Sequence, residues 1–117
     1  MIAGIQSAVS GLGAYTTKIE NNAHNVANLN TDGFKKDRVI LSAQVPQGVK
    51  TAVEQVDAPG AVVAEQTGQE MEMVELSNVN LGEELPDMMV NLHGYKANLK
   101  TLQAADEMMQ GLLDIKA

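Results

Sequence analysis

Few side chains in this sequence are of types that carry reaction chemistry, and their spacing limits what they could do. His24 and His93 are the two imidazoles. Neither stands in a His-Glu-x-x-His motif or beside a second histidine-carboxylate cluster, so they read as surface or interface polarity and not as a metal pair. The adjacent Glu83 and Glu84 would suit acid and base roles only if they converged, and neighbouring helical residues do not face one another. Near a helix start they offset the helix dipole instead. The chain has no cysteine, which removes disulfides, thiolate zinc sites and cysteine nucleophiles. Met88, Met89, Met108 and Met109 supply adaptable apolar surface for packing. No nucleophile stands with a base, so neither enzymatic activity nor a metal or cofactor is expected.

The elements that would position these residues must come from one small core. Of 117 residues, 44% are hydrophobic and only 3% aromatic, namely Tyr15, Phe34 and Tyr95, so packing must rely on aliphatic side chains and methionine. The net charge of −7 is the wrong sign for neutralising a phosphate backbone, and no nucleic-acid partner is expected. The charge is uneven: nine acids and no lysine or arginine lie between Thr51 and Tyr95. Polar interruptions break the uncharged N-terminal run, which therefore reads neither as a membrane span nor as a cleavable signal peptide.

Two heptad arms flank a short middle. From Ile2, apolar residues recur at Ile5, Val9, Leu12, Ile19, Ala23 and Val26 in alternating steps of three and four, with Thr16 the one break. The C-terminal arm repeats the pattern through Leu81, Leu85, Met88, Leu92, Tyr95, Leu99, Leu102, Asp106, Met109 and Leu113. Asn80 followed by Glu83 has the spacing of a capping box and sets a helix start near Leu81, while Pro86 either kinks that helix or begins it. Asp106, the one charge in this seam, is a candidate for fixing register against a neighbour. Each stripe is a seam that one copy cannot bury alone.

Between the arms, alternation over Val39–Ala43 and Val49–Val53 brackets the turn Pro46-Gln47-Gly48. Pro59-Gly60 and Thr67-Gly68 punctuate a second apolar stretch and the alternating Met71, Met73 and Glu75. The expected fold class is therefore mainly α, with N- and C-terminal helices pairing as an antiparallel coiled coil around a small β-hairpin-like middle. The expected divisions are 1–36, 37–75 and 76–117.

The string from Asn25 to Lys35 is unusual in any frame. Physically it reads as a helix C-terminus melting into a turn, with Asn28 and Asn30 able to adopt left-handed dihedrals and Gly33 adding a permissive position. Its residues Asn25, Ala27, Asn28, Asn30, Thr31, Gly33, Phe34 and Lys35 match an Asn-aliphatic-Ala-Asn-x-Asn-Thr-x-Gly-aromatic-Lys pattern. That pattern resembles the N-terminal signature of the bacterial flagellar rod and hook axial proteins. The other end agrees through Asn78-Val79-Asn80-Leu81-Gly82-Glu83-Glu84, Tyr95-Lys96-Ala97-Asn98 and Asp106-Glu107-Met108-Met109. The resemblance covers about residues 2–36 and 76–115. His24, His93 and Gly94 depart from the family pattern, and the short middle is most similar to the proximal-rod members.

What the resemblance implies is a structural subunit of the flagellar basal-body rod that self-assembles through its terminal helices into the shaft transmitting motor torque. Its partners would be copies of itself, other axial proteins and the flagellar type III export apparatus. Its place would be the periplasmic rod, reached without a cleaved signal peptide and without membrane insertion. Ile5, Val9, Leu12, Ile19, Val26, Leu85, Met88, Leu92, Tyr95, Leu99, Leu102, Met109 and Leu113 are the expected packing and assembly residues. Asn78, Asn98 and Asp106 complete the signature. A soluble acidic helical adaptor or export chaperone is the alternative, distinguished by a discrete oligomeric state where an axial subunit would form open-ended assemblies.

Overall fold

The computed structural model describes residues 2–116. The N-terminal arm forms one helix, α1 (Ile2–Ala27), although Gly4, Gly11 and Gly13 each weaken it by about 1 kcal/mol relative to alanine. The C-terminal arm forms α2 (Leu81–Lys116), 36 residues long. Asn80 caps α2: its Oδ1 accepts from the Gly82 amide at 2.9 Å, and its carbonyl accepts from the Glu84 amide at 3.0 Å. The expected capping box is only half made. Glu83 reaches Lys36 Nζ at 3.5 Å instead of turning back to its cap. Pro86 lies inside the helix and does not end it. Its missing N–H deprives the Gly82 carbonyl of a donor, and Gly82 is exposed, where water can take that place.

The middle corrects the expected fold class. It folds as two separate hairpins, β1 (Asp37–Ala43) with β2 (Val49–Gln55) and β3 (Val62–Thr67) with β4 (Glu70–Glu75). Each is a two-stranded antiparallel sheet. The chain is thus mixed α and β, where a mainly α fold with one hairpin-like region was expected. Two proline- and glycine-marked breaks, Pro46-Gln47-Gly48 and Pro59-Gly60, separate short alternating runs, and each run found its sequence neighbour. In the second hairpin, Gly68 has φ 71° at the first position of a two-residue loop, which the mirror-image turn matched to strand twist requires.

The helices run side by side in opposite directions. Going down α1 from Asn25 to Ile5, the neighbours on α2 climb from Glu84 through Asn91, Gly94 and Asn98 to Leu102 and Ala105. The coiled-coil part of the expected fold also needs correction, because the buried layer is not an apolar seam. Among the described residues the buried apolar side chains are Ala8, Ala14, Val79 and Ala105, and the buried polar ones are Asn22, Asn25 and Asn91. The first hairpin lies along α1, where Ser10 Oγ accepts from the Val49 amide at 3.1 Å. The second packs against neither helix. The result measures 82 × 24 × 17 Å with a radius of gyration of 21.0 Å, against about 13 Å for a compact chain of this length.

Candidate assembly interface

At the hairpin end of the helix pair, asparagines take the place of leucines. Asn22 Nδ2 donates to Glu84 Oε2 at 2.7 Å and to Asp87 Oδ2 at 2.9 Å. Asn91 Nδ2 donates to Asn22 Oδ1 at 2.8 Å and to Asp87 Oδ2 at 3.2 Å. Asn25 spans three elements: its Nδ2 donates to the Asp37 carbonyl at 2.8 Å and to Glu84 Oε1 at 3.1 Å, and its Oδ1 accepts from the Asp37 amide at 3.1 Å. Both protons of each buried amide are therefore used. Asn91 Oδ1 alone is buried with no partner among the described residues. A bond to a charged acceptor contributes about 1.5–3 kcal/mol, and the buried amides of Asn22, Asn25 and Asn91 have no water to replace one that is lost. A cleft of about 200 Å³ opens beside the network, lined by Lys18, Asn21, Asn22, Arg38, Glu84 and Asp87.

Further along, small residues let the helices approach. A Cβ on Gly11 would lie 2.6 Å from Asn98 Nδ2, and one on Gly94 would lie 2.3 Å from the Tyr15 ring. The face of α2 turned to α1 is thus Glu84, Asp87, Asn91, Gly94, Asn98 and Ala105. The apolar stripe read from the sequence is split: Leu102 joins this face opposite Ile5, while Leu85, Leu92 and Leu99 lie beside it. Leu85, Leu92 and Leu99 are 44%, 44% and 43% exposed. Met109, Leu113 and Val9 are exposed as well, whereas Ile5, Leu12, Ile19, Val26, Met88, Tyr95 and Leu102 are half-buried. Of the expected packing residues, Ile5, Leu102 and Met109 come together in one shallow cavity with Ala105 and Asp106. Asp106 itself is exposed and accepts from Gln110 Nε2 at 3.1 Å.

The signature residues divide into two groups. Asn25 belongs to the buried network, while Lys35 and Asn78 build the junction between helices and hairpins. Asn78 Oδ1 accepts from the Lys36 amide at 2.7 Å, and its Nδ2 donates to the Val56 and Ala58 carbonyls, each at 2.9 Å. Lys35 Nζ donates to the Ala58 carbonyl at 3.2 Å and pairs with Glu75. Together with the Gly60 amide, that ammonium holds the Glu75 carboxyl below its ordinary value. Gly60 permits no side chain, because a Cβ would sit 1.9 Å from the Leu76 carbonyl oxygen. Phe34 meets the His24 ring edge-on at 5.5 Å between centroids.

Asn28 and Asn30, though able to adopt left-handed dihedrals, do not use them: among the described residues positive φ occurs only at glycines, Gly33 among them at 71°. Asn28 Nδ2 instead donates to the His24 carbonyl at 2.9 Å, and its Oδ1 accepts from Thr31 Oγ1 at 3.1 Å. Ala27, Asn30 and Thr31 are exposed. Sequence reading overlooked Asn22, Asp87 and Asn91 and gave Glu84 only a dipole role. A signal for them existed: Glu84, Asp87, Asn91 and Asn98 follow one another in steps of three, four and seven, a polar stripe on heptad spacing.

The helix pair is elongated, its interior is lined by asparagine amides and small residues, and Leu85, Leu92 and Leu99 of α2 stay partly exposed on its outside. The chain belongs to the flagellar rod and hook axial protein family. Residues 70–115 match the family described as flagellar basal body rod FlgEFG protein, C-terminal, a span running from β4 almost to the end of α2. The chain is 32% identical over 80 residues to the flagellar hook protein FlgE of Borreliella burgdorferi, covering 68% of this chain and 18% of that protein. It is 39% identical over 49 residues to the flagellar basal-body rod protein FlgG of Bacillus subtilis, covering 42% of this chain and 19% of the relative. The matched region thus spans less than a fifth of either relative.

Proposed function

We propose that this chain is a non-enzymatic structural subunit of the flagellar basal-body rod, most like the proximal-rod members, that self-assembles through its helices into the shaft carrying motor torque. One observation carries the reading: Leu85, Leu92 and Leu99 of α2 stay partly exposed while asparagine, alanine and glycine fill much of the interior of the helix pair. Leu85, Leu92 and Leu99 still expose 44%, 44% and 43% of their surface, so association that covers them recovers roughly 1 kcal/mol of burial for each at every repeated contact. Copies of itself and other axial proteins are the proposed occupants of that stripe, and Ile5, Val9, Leu12, Ile19, Val26, Met88, Tyr95, Leu102, Met109 and Leu113 border it or close the helix pair beneath it. Export through the flagellar type III apparatus to the periplasmic part of the rod is part of the same reading.

The test is a concentration series of the purified chain followed by sedimentation velocity and negative-stain microscopy. Open-ended assemblies that lengthen with concentration support the axial subunit, because a heterologous contact that does not close makes a filament. A single closed monomer or dimer at all concentrations points to the adaptor or export-chaperone class.

A further inference from the structure

The second hairpin holds an arrangement that one copy of the chain leaves unbalanced. Glu65 on β3 is directly opposite Glu72 on β4, so the two carboxylates share one face as a cross-strand pair. Glu70 lies on that same face, opposite Thr67, and all these residues are exposed. Like charges directly opposite destabilise a hairpin. No ion pair among the described residues relieves them, because Lys35, Lys36 and Arg38 are engaged with Glu75, Glu83 and Glu54.

A matching imbalance of the other sign lies on α2. Lys96 and Lys100 are one helical turn apart and exposed, and neither has an acid three or four residues away. Two ammonium groups at that spacing repel, by the same rule that makes opposite charges there attract. They border the exposed Leu92 and Leu99 stripe. Within one copy the two groups do not meet. The hairpin packs against neither helix, and Lys96 lies roughly 22 Å along α2 from Leu81, at 1.5 Å per residue.

We infer that the glutamate face of the β3–β4 hairpin docks on the Lys96–Lys100 turn of α2 in a second copy of this chain. The contact places each lysine between carboxylates and relieves both like-charge pairs at once. Because donor and acceptor surfaces differ, the contact is head-to-tail and adds a second, electrostatic link beside the apolar stripe. This inference rests on the proposed self-assembly and specifies one of its contacts.

Charge reversal in both partners tests it. Glu65→Lys with Glu72→Lys, and separately Lys96→Glu with Lys100→Glu, each raise the concentration needed for assembly roughly fivefold, the scale of two exposed ion pairs. All four substitutions in one chain bring that concentration back to within about twofold of the unaltered protein. Circular dichroism checks that every variant folds. In a mixture of ¹⁵N-labelled and unlabelled chains, a zero-length carbodiimide link joins Glu65 or Glu72 of one isotope to Lys96 or Lys100 of the other. At about 1 M salt, where the Debye length is near 3 Å, that link is lost. Reversals that leave assembly unchanged, a combined variant that is not restored, or links confined to single copies overturn this contact and leave the axial reading standing. A chain that never associates overturns both.

Discussion

Asn91 on α2 donates from Nδ2 to Asn22 Oδ1 on α1 across 2.8 Å, with both residues buried, so the two helices are tied by an amide pair where a coiled coil would place leucines. Asp87 accepts from both amides of the pair, and Glu84 accepts from Asn22. This polar contact favours one register along the helices, since sliding by one turn would leave the buried amides of Asn22 and Asn91 without their partners.

Replacing Asn22 by alanine should therefore cost about 2–4 kcal/mol, because Glu84, Asp87 and Asn91 all lose a partner. Urea denaturation of the variant checks this. Asn91→Asp should be as harmful, since it sets a new carboxylate against Asp87. A cost below 0.5 kcal/mol, the range of surface substitutions, would deny the network its role.

Glycine substitutions should split in sign. Gly94→Ala drives a methyl into the Tyr15 ring and destabilises by about 1–3 kcal/mol, with Tyr15→Ala in the same chain recovering part of it. A Cβ on Gly4 or Gly13 meets nothing, and alanine there should stabilise α1 by up to about 1 kcal/mol. Thermal melts of the three single variants give the comparison.

The Glu75 carboxyl, held low first by its hydrogen bond from Lys35 and then by the Gly60 amide, makes the junction acid-sensitive. A lowered folded value means the contribution is complete above the ordinary carboxylate range and is lost as pH falls through the lowered value. Glu75→Gln should flatten the acid side of the stability profile. Melting temperatures of both proteins from pH 7 to about pH 2.5 would show whether the two curves converge at low pH.

Leu99→Asp should separate folding from assembly. The side chain is 43% exposed in the single chain, so stability changes by about 1 kcal/mol or less, whereas a charge buried without a partner at a repeated contact costs several. Sedimentation should show a folded variant that no longer lengthens with concentration, and a strain carrying it should not swim.

How much of this was legible beforehand differs from element to element. Both helices, the turns at Gly48 and Gly68, the cap at Asn80 and the Asn25–Lys35 signature follow from local rules, because periodicity, φ freedom and side-chain-to-backbone bonding act over a few residues. The pairing of strands into two sheets did not follow, since alternation marks a strand without naming its neighbour. The largest surprise is on α2, which carries two heptad stripes side by side. One runs through Leu85, Leu92 and Leu99, the other through Glu84, Asp87, Asn91 and Asn98. Reading the apolar stripe as the seam assumes that the first surface a helix meets is the one that buries most carbon.

The sequence by itself determined where the helices and strands lie, which glycines the turns need, and to which family the two ends belong. Only the tertiary structure decided which stripe faces inward. The physical reason is geometric: Gly11, Gly94, Ala8, Ala14 and Ala105 let the backbones come close, and at that distance asparagine amides can saturate their bonds across the gap. Leu85, Leu92 and Leu99, too large for so close a crossing, stay partly outside for whatever packs against the helix pair next.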